Sequence, residues 1–68
     1  MYTLGQLAKR VTGGNLVAMA KLANDAGAGI WELEPDPNIE IPRGVLVELF
    51  ALRAGDRVGR VIAELLRE

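Results

Sequence analysis

Apolar residues recur along the chain with a helical period, interrupted by glycines. Leu4, Leu7, Ala8 and Val11 fall at i, i+3, i+4 and i+7, one face of a helix. Ahead of them Thr3 and Gln6 match a capping box, and Tyr2 with Leu7 a hydrophobic staple. Gly13 and Gly14 end that helix, leaving Lys9 and Arg10 on its solvent side, where the helix dipole favours cations. Asn15 suits the N-cap of a second helix over residues 16–26, whose alanines raise its propensity. Gly27 and Gly29 stop it.

The period then changes. Residues 30–33 alternate as a short strand, with Trp31 and Leu33 on one face, and residues 39–41 alternate again. Pro35, Asp36, Pro37 and Asn38 between them form a turn. The pattern predicts a small β-hairpin that must lean on helices. Pro42 suits the first turn of a third helix, residues 42–54. There Val45, Leu46, Val47, Leu49, Phe50 and Leu52 cover more than half the circumference. A helix so apolar is expected to be enclosed on several sides, with the other elements packed around it. Gly55 ends it, and Asp56 caps a last helix over residues 57–67, with Val58, Val61, Ile62, Leu65 and Leu66 on its inner face. The expected fold is mainly α with a small β-hairpin: a winged-helix-like arrangement of about four helices around a central apolar one, in a single domain spanning residues 1–68.

Composition narrows the function. A chain of 68 residues holds one small domain with a thin stability margin. Its three aromatics, Tyr2, Trp31 and Phe50, leave the core to aliphatic side chains. There is no cysteine, hence no disulfide and no thiolate metal site, and no histidine, the commonest general base and metal ligand. Thr3 and Thr12 therefore have no evident base, and Gly13-Gly14 is not followed by the Lys-Ser/Thr pair of a phosphate loop. The chain is expected to be no enzyme and to use no cofactor or metal. No apolar run approaches the roughly 18 residues of a membrane span. Together with the lack of cysteine and of a signal peptide, this fits a cytoplasmic protein.

Residues 2–10, YTLGQLAKR, resemble the opening of MerR-type and excisionase-type winged helices, and the order of elements that follows is similar. The resemblance implies a winged helix-turn-helix regulator whose second helix reads DNA, with Lys9, Arg10, Asn15, Lys21 and Arg43 as its nucleic-acid-binding residues here. This chain departs from the pattern where DNA would be met. Ala18, Lys21 and Leu22 occupy positions that are basic or aromatic in the family, and only Lys21 keeps that chemistry.

Charge points to another partner. The net charge is −1, without the basic excess usual in nucleic-acid binders. The predicted hairpin carries Glu32, Glu34, Asp36 and Glu40, which would repel a phosphate backbone. As solvated strand faces these carboxylates need no function. As a site, they form with Trp31 an acidic surface for a basic protein. Trp31 alone reads first as a residue covering the edge of the core. Arg53, Arg57, Arg60 and Arg67 around the last helix form a second candidate face, or a surface of salt bridges with the interleaved Glu48, Glu64 and Glu68. Residue chemistry thus favours a small regulator that binds a protein of the transcription or related machinery, as small phage-type regulators of similar size and charge do. DNA binding is the alternative, and a homodimer or structural subunit joined along Val47 and Leu52 the third reading.

Overall fold

The computed structural model describes residues 1–68. In chain order it contains β1 (Tyr2–Thr3), α1 (Leu4–Val11), α2 (Leu16–Asp25), β2 (Glu40–Ile41), α3 (Arg43–Leu52) and α4 (Arg57–Arg67). The helices hold 57% of the residues, so the fold is mainly α with one small antiparallel β element.

The first helix starts where its cap dictates. Gln6 N–H donates to Thr3 Oγ1 at 3.2 Å, and Thr3 N–H donates to Gln6 Oε1 at 2.9 Å, closing the expected capping box. The two amides between them look further along the chain. Leu4 N–H donates to the Ile39 carbonyl and Gly5 N–H to that of Pro37, both at 2.9 Å. A helix N-terminus leaves four amides without intrahelical partners, and here the segment before β2 supplies two of the acceptors. Gly5 permits the approach: a Cβ there would lie 3.1 Å from the Pro37 oxygen.

At its other end α1 is closed by Gly13 and Gly14, at φ 62° and 91°. The Thr12 hydroxyl donates to the Ala8 carbonyl at 3.1 Å. Arg57 reaches from α4 to donate to the Val11 carbonyl at 2.6 Å, while Tyr2 OH donates to Glu68 at the far end of α4. These contacts fix α1 and α4 antiparallel. Asn15 caps α2 and Asp56 caps α4 through their side chains, as expected.

The sheet differs from the predicted hairpin. Residues 30–33 form no strand, and β2 pairs with β1 instead, with Tyr2 opposite Ile41 and Thr3 opposite Glu40. Two interactions account for this. Capping of α1 draws residues 37–39 to Leu4 and Gly5 and carries β2 alongside β1. Meanwhile the Asn24 side-chain amide occupies both backbone groups of Ile30, accepting from its N–H at 2.5 Å and donating to its C=O at 2.7 Å. The alternation in residues 30–33 is real, but its expected partner is already paired.

The core is aliphatic. Its cluster of 15 buried residues takes Leu4, Leu7, Ala8 and Val11 from α1, Met19, Ala20 and Ala23 from α2, and Val58, Ile62 and Leu65 from α4. No polar or charged side chain is buried. The expectation that α3 is enclosed on several sides is overturned: only Leu46 and Leu49 are buried, while Val47, Phe50 and Leu52 remain between 40% and 57% exposed. α3 packs on α4 and, over a smaller area, on α2, and its remaining side is uncovered, so it lies at the edge of the core. A chain this short has too few elements to cover a helix all round.

Two glycines on neighbouring helices predict opposite outcomes. A Cβ at Gly59 would lie 2.7 Å from the Arg53 carbonyl carbon and closer still to its oxygen. Gly59→Ala therefore forces α3 and α4 apart and is expected to cost about 3 kcal/mol, the upper range for overpacking. A Cβ at Gly44 meets nothing within 4 Å, so Gly44→Ala should stabilise by about 0.5–1 kcal/mol through helix propensity. Thermal midpoints of the two variants check both signs.

Candidate functional site

Between α2 and β2 the chain runs through fourteen residues, Ala26 to Ile39, without a regular element. Connections of that length in a small domain are uncommon, and those present tend to carry function. This one is held at both ends. Asn24 clamps Ile30, as described above. At the other end the Asp36 carboxylate accepts from Asn38 N–H at 2.9 Å and the Asp36 carbonyl from Ile39 N–H at 3.3 Å. The anchored ends leave residues 31–34 projecting.

Those four residues, WELE, have no backbone hydrogen bond within the chain. Trp31 is 66% and Leu33 76% exposed, which corrects the expectation that Trp31 covers the core edge. The bends at Glu32, Leu33 and Glu34 also mean that Trp31 and Leu33 do not share a strand face. Glu32 is half-buried and accepts from Asn24 Nδ2 at 3.3 Å, whereas Glu34, Asp36 and Glu40 are exposed. Four carboxylates and no cation fall within residues 26–42. They do not converge as a metal-ligand group. The predicted acidic hairpin is thus an acidic loop, with Glu40 set apart on β2.

The cations are distributed otherwise than the sequence suggested. Arg10 pairs with Glu68 at 3.4 Å and Arg53 with Asp56 at 2.7 Å. Arg43 donates to the Leu66 carbonyl at 3.0 Å and Arg57 to that of Val11. The expected salt bridges of the last helix with Glu48 and Glu64 do not form. Lys9, Lys21, Arg60 and Arg67 remain exposed without an ion pair. Among the residues proposed to meet DNA, Asn15 is engaged as a cap, accepting from Ala18 N–H at 3.0 Å, and Lys21 lies one helical turn from Asp25. Arg10 and Arg43 share a neighbourhood at Glu68, since Arg43 and Glu68 line one cleft.

Sequence reasoning missed Asn24 as the clamp of the loop, because a polar residue on a helix carries no mark of a partner six residues on. It also missed the part played by Leu33, although the alternation of apolar and acidic residues in WELE was its signal.

No family model, no curated protein and no solved structure matches the chain. No helix is long and apolar enough to cross a membrane.

The charged contacts predict how stability responds to pH. The Glu68 carboxyl is held below its ordinary range, first by the Tyr2 hydroxyl and then by Arg10. The Asp56 carboxyl is held low by the Val58 amide and then by Arg53. Carboxyls lowered in the folded state stabilise at neutral pH, and this contribution is lost as pH falls below about 4. The Tyr2 phenol is raised, chiefly by its hydrogen bond to Glu68. Its contribution is complete below the ordinary value near 10 and is lost as pH rises above it. Tyr2→Phe should therefore remove the alkaline fall and weaken the acid one, read as the thermal midpoint across pH.

Proposed function

We propose that the protein is a small, non-catalytic binding module that docks onto a protein partner through the loop of residues 31–36. The observation that carries this reading is the exposure of Trp31 and Leu33 on a segment whose ends are anchored and whose backbone is free. Large apolar side chains held out from a fixed support suit insertion into a partner's pocket, and tryptophan is enriched among the side chains that dominate binding energy. Glu32, Glu34 and Asp36 flank the two anchors, so the complementary surface is an apolar pocket rimmed by lysine or arginine. The resemblance of residues 2–10 to winged-helix openings makes a protein of the transcription machinery the first partner to test.

A second reading rests on α3. Its outer side carries Val47 and, beside it, Phe50 and Leu52, all exposed, and supports self-association as a structural subunit. The DNA reading has less support, since the outward residues of α2 include one cation, Lys21, one helical turn from Asp25, and binding by phosphate neutralisation needs several.

One set of variants separates the three readings. Trp31→Ala should weaken partner capture by about 2 kcal/mol, roughly thirtyfold, and Glu34→Lys should weaken it as well, with thermal midpoints unchanged. Val47→Glu should leave capture intact. Loss with Val47→Glu alone, together with a shift from dimer to monomer in sedimentation, would replace the loop by the α3 face. Binding of duplex DNA of any sequence that weakens steeply with salt would replace both.

A further inference from the structure

A cleft of about 210 Å³ opens between β1, the start of α3 and the end of α4. Its apolar lining is Met1, Tyr2, Ile41, Leu46 and Leu65; the last three are core residues that show almost no surface, so the apolar surface offered is that of exposed Met1 and half-buried Tyr2. Tyr2 forms a wall, and Arg43 and Glu68 bring charge to it. The two charges are unequal in their engagement. Glu68 accepts from Tyr2 OH and pairs with Arg10. Arg43 gives one N–H to the Leu66 carbonyl and has no carboxylate partner. A guanidinium presents five donors in a planar fork suited to a carboxylate, so most of this one's donors are free.

An apolar wall beside a guanidinium without a carboxylate partner selects for one kind of ligand. We propose that this cleft binds a small apolar carboxylate, its carboxylate on Arg43 and its hydrocarbon part against Met1 and Tyr2. The cleft is smaller than the roughly 300–1,000 Å³ of pockets for drug-sized ligands, and matches a single branched aliphatic or aromatic group. The same chemistry is offered by a free short-chain acid and by the C-terminal residue of a polypeptide. This site is separate from the loop of residues 31–36, and neither reading depends on the other.

The test is an amide-resolved NMR titration of the full chain with three probes: 4-methylpentanoate, N-acetyl-leucine and N-acetyl-leucinamide. Both acids should give saturable shifts at Tyr2, Ile41, Leu46 and Leu65, and the amide should bind at least about tenfold more weakly. Tighter binding of N-acetyl-leucine identifies a polypeptide end as the source, and tighter binding of 4-methylpentanoate a free acid. Arg43→Gln should erase the preference for acid over amide, and Arg60→Gln should leave it unchanged. If the acids produce no saturable shifts at these residues at millimolar concentration, or if the amide binds as well as the acids, the proposal is wrong. The comparison of acid with amide on the unmodified chain decides the matter even if Arg43→Gln fails to fold.

Discussion

The arrangement of this protein depends on how the first turn of α1 satisfies its amides. A helix start exposes N–H groups that cost free energy if left dry and unpaired. Here the capping box takes care of Thr3 and Gln6, and the carbonyls of Ile39 and Pro37 complete the set for Leu4 and Gly5. Acceptors more than thirty residues away are thereby pinned to the beginning of the chain. That contact places β2 beside β1, turns the chain into α3, and closes the long loop that begins after α2. The loop then has two fixed ends and a middle with no ladder to join.

The arginines show the same economy at the other helix ends. The last carbonyls of a helix also lack partners, and cationic side chains that reach them satisfy both hydrogen bonding and the dipole. Arg57 serves the end of α1 through Val11, and Arg43 the end of α4 through Leu66. Arg53 meets the cap of α4 at Asp56. Arg10, Arg53 and Arg57 are thereby committed within the chain, while Arg43 keeps most of its donors unpaired. Exposed beside these ties are an acidic loop with two large apolar side chains, an unpartnered side of α3, a cleft at the meeting of β1, α3 and α4, and the unpaired Lys9, Lys21, Arg60 and Arg67.

Much of this was legible in the residues. The faces of α1 and α4 follow from strict i, i+3, i+4 spacing, and their caps from Thr3 with Gln6 and from Asp56, because those signals act within one turn. The strand in residues 30–33 was misread because alternation reports a tendency to pair without naming the partner. Tyr2 and Thr3, too short to register as a strand, took β2 first. α3 was misread for a different reason. Apolar content says how much a helix gains from being covered, while the number of other elements decides how much covering is available, and here there are too few. The acidic residues of the loop were found from composition alone, but the clamp that presents them, Asn24 on Ile30, and the cleft beside Arg43 arise only from tertiary contacts.

Hydrogen exchange at single amides tests this account most directly. Leu4 and Gly5, bonded to Ile39 and Pro37, and Ile30, held by Asn24, should be protected, while residues 31–34 exchange nearly as fast as an unstructured chain. Protection of residues 31–34 comparable to that of the helices, with Leu4 and Gly5 exchanging freely, would mean that the local hairpin forms after all and that the loop is not presented as described.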